Sequence, residues 1–203
     1  MSLFVTQENF HSLLKLMSTN NTPMVWEPLF ISPVWLEAWW SAFGDGYELF
    51  LSSVREEDTI IGIAPLMLKD GIASIIGSTD VCDYLDVIIT QDREQDFFDT
   101  LIDTLKSKGV KQLNLESLRP DSSVLTGLTD VALHRGCEVV LTPCDITIEM
   151  ELPGTWNDYL MILNSKQRHE VRRKLRRLEE AGDYRYRSVS GSASFSETYR
   201  TLP

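Results

Sequence analysis

The most constraining stretch of this sequence runs from Tyr84 to Leu115. Tyr84 to Thr90 is apolar and rich in β-formers. Phe97, Phe98, Leu101, Ile102 and Leu105 then repeat at three- and four-residue spacing, which puts them on one helical face. Asp92 is placed to cap this helix, Lys106 and Lys108 suit its C-terminal dipole, and Gly109 ends it. Val110 to Leu115 alternates as a strand. Strand, helix and strand within about 30 residues make a βαβ unit, and a helical crossover favours a parallel strand pair. The expected fold class is therefore α/β.

The flanking residues extend that frame. Ser32-Pro33 opens a helix through Trp35, Leu36 and Trp39, with Gly44 as its stop. Tyr47 to Val54 and Thr59 to Leu68 are β-rich runs joined by Arg55-Glu56-Glu57-Asp58, which predicts a hairpin. Asp70-Gly71 turns the chain into Ile72 to Ile76, and Gly77 to Asp83 is a polar loop. Ser122 or Ser123 opens another helix that closes at Gly136. Cys137 to Leu141 and the alternating Ile146, Ile148, Met150 and Leu152 predict two more strands. Pro153-Gly154 marks a boundary, giving domains over 1–152 and 153–203.

Charge divides the chain in nearly the same place. Residues 1–165 hold 9 Lys/Arg against 25 Asp/Glu, a net of −16. Residues 166–187 hold 9 against 4, a net of +5. The whole chain, at −11, is a poor match to DNA, and no DNA partner is expected. Cys82, Cys137 and Cys144 are three scattered cysteines, which suggests reduced thiols and a cytoplasmic protein. Ile60 to Leu68 is the longest apolar run, well short of the roughly 20 residues that span a bilayer, so no transmembrane segment is expected.

The cations concentrate on one helix. Asn164 and Gln167 stand in capping-box positions, and Gly182 is the stop. At about 100° per residue, Val171, Leu175 and Leu178 form a narrow stripe. Opposite them lie His169, Arg172, Arg173, Arg176 and Arg177, with Lys166 beside them and Arg168 at the flank. Like charges at this spacing repel. A solvated face is the plain reading. The alternatives are a phosphate-bearing ligand, a polyanion, a membrane surface, or the acidic residues 1–165 themselves. Beyond Gly182, Tyr184 to Arg187 predicts a strand and Ser192 to Leu202 a helix.

Four segments carry a family resemblance. Phe30-Ile31-Ser32-Pro33-Val34-Trp35-Leu36-Glu37-Ala38-Trp39-Trp40-Ser41-Ala42-Phe43-Gly44 is similar to the opening of the CelD-type acyltransferases of the GNAT superfamily. Ile61-Gly62-Ile63-Ala64-Pro65-Leu66 resembles that family's second hairpin strand, and Cys82-Asp83-Tyr84-Leu85-Asp86 its DYLD loop. Lys166 to Glu179 resembles its arginine-rich helix. The resemblance implies a tandem of two GNAT-like folds, each a mixed sheet flanked by helices, with residues 153–203 opening the second. Such proteins run well beyond 300 residues, so this chain would lack most of that second fold.

The resemblance also implies an activity: acyl transfer from acetyl-CoA or another acyl-CoA to an amine or hydroxyl, on a small-molecule or saccharide acceptor, in polysaccharide biosynthesis. No metal is implied. An amine must lose a proton to attack a thioester, which a carboxylate accepts, and a tyrosine can protonate the leaving thiolate. Asp83, Tyr84 and Asp86 are the candidate catalytic residues, with Asp80 nearby. A polar turn held by Asx-type bonds is the plainer reading of the same loop. Lys166, Arg168, Arg172, Arg173 and Arg176 are the candidate anion-binding residues. GNAT enzymes commonly cradle the pyrophosphate on a Q/R-x-x-G-x-G/A turn, a pattern these residues lack. Two other functions compete: a FemAB-like aminoacyltransferase whose basic helix meets transfer RNA, and a non-catalytic binding module.

Overall fold

The structure is a computed structural model that describes residues 2–18, 24, 26, 29–146 and 148–182. The chain divides into two compact units, Met1–Ile146 and Thr147–Pro203. The strand expected at Tyr184 and the helix expected at Ser192 lie outside the described residues.

The first unit is α/β, with a mixed sheet flanked by helices. Its elements are β1 (Leu3–Gln7), α1 (Phe10–Ser18), α2 (Pro33–Phe43), β2 (Glu48–Glu56), β3 (Thr59–Lys69), β4 (Ile72–Ile75), β5 (Ile88–Ile89), α3 (Glu94–Ser107), β6 (Gln112–Leu113) and α4 (Thr129–His134). Strand order is β1-β2-β3-β4-β6, and β5 pairs with β3. All pairings are antiparallel except β4 with β6. Ile61 to Leu68 of β3 is buried without a break, as befits a strand covered on both faces. β1 and α1 are additions to the sequence reading. They are short, and the best clue to α1 is Asn9, whose Oδ1 accepts from the Ser12 amide at 2.8 Å.

The parallel pair exists with a different first strand from the one expected. Tyr84 to Thr90 contributes only Ile88 and Ile89, and these run antiparallel to Ile63 and Gly62. The strand parallel to β6 is β4. The switch occurs along β3, which is paired by β5 at Gly62–Ile63 and by β4 at Leu66–Lys69. Pro65 falls in the gap, where its missing N–H breaks no ladder. Its carbonyl accepts from the Ile76 amide at 2.8 Å, the last bond before the chain leaves the sheet.

α3 lies against β1, β2 and β3 and brings Phe97 and Phe98, both fully buried, into the core. Gly62 makes that approach possible, because a Cβ there would stand 2.4 Å from the Phe97 ring. Arg135 at the end of α4 ties back to α3 through Asp99 at 2.7 Å and through Asp103. Asp92 does not cap α3. It stands at φ +62, and the N-cap position falls to Arg93, whose side chain makes no cap bond.

The two strands expected after α4 are not formed. Residues 137–146 and 148–155 contain no ladder. Ile146, Ile148 and Leu152 are 86%, 91% and 79% exposed. Alternation shows that one face would be buried beside a partner strand, but it does not supply the partner.

The second unit shows α5 (Trp156–Ile162) and α6 (Ser165–Glu180) among its described residues. A second GNAT-like fold is not shown among these described residues. Thr155 caps α5 by accepting from the Asp158 amide at 3.1 Å. Asn164 opens α6 with the expected capping box: its Oδ1 accepts from the Gln167 amide at 2.9 Å, and Gln167 Oε1 accepts from the Asn164 amide at 3.2 Å.

Candidate functional site

The loop over 76–87 leaves the sheet where β3 changes partners. Gly77 starts it at φ +151, and a Cβ there would press on Leu85 and Cys82. Cys82 and Leu85 are buried and anchor the loop, while Asp83 between them is exposed. The Leu85 amide donates to the Ser117 carbonyl at 2.9 Å, holding the loop to the stretch after β6. The guanidinium of Arg119 stands over the half-buried Tyr84 ring at 5.2 Å.

Asp86 is spoken for. Its Oδ1 accepts from the Val87 amide at 2.8 Å and its Oδ2 from the Ser123 amide at 3.0 Å. The second bond closes the start of the helical segment that leads into α4. Burial pushes the Asp86 carboxyl above the ordinary aspartate value, the backbone donors pull it back only partly, and Asp121 adds to the rise. Ser122 also serves that helix start, its Oγ accepting from the Leu125 amide at 3.2 Å, whereas Ser123 makes no side-chain cap. Of the three residues expected to do chemistry, Asp83 alone presents an exposed carboxylate, Tyr84 is packed under Arg119, and Asp86 is a cap.

On α6 the cations separate into committed and uncommitted groups. Arg168 donates from Nε to the Leu160 carbonyl at 2.8 Å and from Nη2 to the Leu163 carbonyl at 2.9 Å. It closes the C-terminus of α5 and fixes the α5–α6 corner. Arg173 forks onto Glu170 at 2.9 and 2.6 Å, which holds the Glu170 carboxyl below the ordinary glutamate value. Arg176 stands 3.7 Å from Glu180. Lys166, His169, Arg172 and Arg177 are exposed and make no ion pair among the described residues. The apolar stripe on the opposite side stays partly open at Leu175 and Leu178.

The start of α3, the helix after the sheet's central strands, is not built as a pyrophosphate cradle. Its first turn carries Glu94 and Asp96, and Arg93 is paired with Glu56 at 3.0 Å and with Asp96 at 2.9 Å. The carboxylates take the place an anion would need, so these residues do not fit a phosphate. Among the described residues, no group of His, Cys, Asp and Glu is arranged to hold a metal ion, and no helix is long and apolar enough to cross a membrane. Trp40 is half-buried against the core. The three cysteines are free thiols, with Cys82 buried and Cys144 exposed.

One polar cluster escaped the sequence reading. Glu8 accepts from Ser53 Oγ at 2.7 Å, Ser12 Oγ at 2.7 Å and Arg55 Nη2 at 3.0 Å, with its side chain 8% exposed. Arg55 was expected in the hairpin connector. It belongs to β2, and a register shift between Val54 and Arg55 redirects it. No local pattern reports a bulge.

Comparison with protein-family models, with curated proteins and with solved structures found no match to this chain.

Proposed function

We propose that this chain is a GNAT-like acyltransferase, or part of one, that moves an acyl group from an acyl-CoA to an amine or hydroxyl acceptor, on a small molecule or saccharide. The observation that carries the reading is the sheet. An antiparallel run of four strands passes into a parallel β4–β6 pair, with α3 between them in the chain. That architecture is compatible with a GNAT-like fold, and a fold narrows function without assigning it. In this reading Asp83 accepts the acceptor's proton and Tyr84 protonates the departing thiolate. On the second unit taken by itself, Lys166 and Arg172, which make no ion pair among the described residues, are the candidate contacts for an anion, with Arg176 on the same helix.

Calorimetric titration with acetyl-CoA tests this directly. Saturable heat that disappears in an Arg172→Glu, Arg176→Glu double variant supports the assignment. Heat at the level of dilution from the unaltered chain overturns it.

A second reading, a non-catalytic binding module, is favoured by the acidic first turn of α3, which leaves the first unit without a phosphate cradle there. Under that reading the first unit is a scaffold, and replacing Asp83 by Asn leaves every binding property unchanged.

A further inference from the structure

The cluster around Glu8 borders a cleft of about 270 Å³ lined by Glu8, Ser12, Lys15, Leu16, Arg55 and Ile60. We propose that this cleft is a binding site for a small monocarboxylate with a short apolar chain. It shares no residue with the loop over 76–87 or with α6.

The site is assembled by local causes. The Glu8 amide donates to the Leu51 carbonyl at 2.8 Å, one step past the β1–β2 ladder, which sets Glu8 at the foot of α1. Ser12 follows in the first turn of α1 and donates to Glu8. Lys15 and Leu16 lie one turn further on. From the other side, the bulge after Val54 brings Arg55 across. Arg55 Nε donates to Ser53 Oγ at 3.2 Å and its Nη2 to Glu8. The guanidinium is therefore held at two points, with Nη1 left without a partner among the described residues.

The charges favour one class of occupant. Glu8 and Arg55 neutralise each other, and Lys15, exposed and without an ion-pair partner among the described residues, leaves a local excess of one cation. A single carboxylate can accept from Arg55 Nη1 and the Lys15 ammonium. A doubly charged phosphate would meet the fixed carboxylate of Glu8, and like charges at this range repel. Leu16 and Ile60, both half-buried, offer apolar surface to a short carbon chain. A mere staple between α1 and the sheet would need Glu8, Ser12, Ser53 and Arg55, but neither the open cleft nor Lys15.

NMR titration of the 203-residue chain with butyrate, acetate and inorganic phosphate tests the assignment, read at the Arg55 Nε–H and at the amides of Ser12 and Leu16. Saturable shifts with butyrate are expected, with weaker binding of acetate. Lys15→Ala, an exposed change that leaves the Glu8 network intact, should weaken butyrate roughly tenfold, the worth of one charge-assisted contact. Shifts that grow linearly without saturating, an unchanged affinity in Lys15→Ala, or phosphate binding tighter than butyrate would each overturn the proposal.

Discussion

Asp86 and Glu8 show how two half-buried carboxylates can take opposite shifts. At Asp86 burial dominates and raises the carboxyl, despite its backbone donors. At Glu8 burial also pushes upward, but the bonds from Ser53, Ser12 and Arg55 outweigh it and the carboxyl falls below its ordinary value. Burial alone disfavours the charge, and only hydrogen bonds or a cation made for the charged form reverse that. Asp86→Ala removes an acceptor from two amides and should cost about 1–2 kcal/mol, the range of a lost helix cap. Because Asp86 is raised in the fold, its contribution is fully present below the unfolded value and is lost as pH rises through the folded value. The destabilisation by Asp86→Ala should therefore shrink with rising pH, and urea midpoints taken across that range check it. The sequence marked Asp86 as reactive because a DYLD motif shows residue types. Which oxygens are already engaged depends on Ser123, 37 positions away.

At the scale of elements, helices were more legible than strands. α2, α3, α5 and α6 lie where spacing placed them, and Thr155 and Asn164 cap α5 and α6 as the residue types indicated, because these hydrogen bonds are local in sequence. The Asn164–Gln167 box is one such local device. Asn164→Ala should destabilise α6 by about 1 kcal/mol, read as lost helical circular dichroism on mild heating. Strands need partners from elsewhere. Tyr84 to Thr90 had the composition of a strand, yet Asp86 and Leu85 are held by Ser123 and Ser117, and only Ile88 and Ile89 join a ladder. Cys137 to Leu141 and Ile146 to Leu152 had the same composition, and their described residues found no ladder. Arg168 is a related case on a helix: its charge was legible, but its use in closing α5 required the corner between two helices.

Across the whole molecule, acid should act mainly on the first unit through Glu8. A carboxyl held low in the fold contributes stability above the ordinary glutamate value and loses it as pH falls through the folded value. Unfolding midpoints should therefore drop as pH falls below the ordinary glutamate value and through the lowered one, and Glu8→Gln should flatten that limb while lowering stability at neutral pH. An equally steep acid limb in Glu8→Gln would assign the effect to other carboxylates.

The sequence by itself determined the α/β class, the main helices, the caps of α5 and α6, the β2–β3 hairpin and the concentration of cations on α6. These depend on contacts between residues close in the chain, where spacing and residue type suffice. The tertiary structure decided which strand runs parallel to β6, that Asp86 is a cap, that Arg168 closes the α5–α6 corner, and that Glu8 and Arg55 meet beside a cleft. In nearly all of these a group finds its hydrogen-bond or charge partner across the sheet or around a corner. Backbone and carboxylate groups must be satisfied somewhere, and the chain alone does not say where.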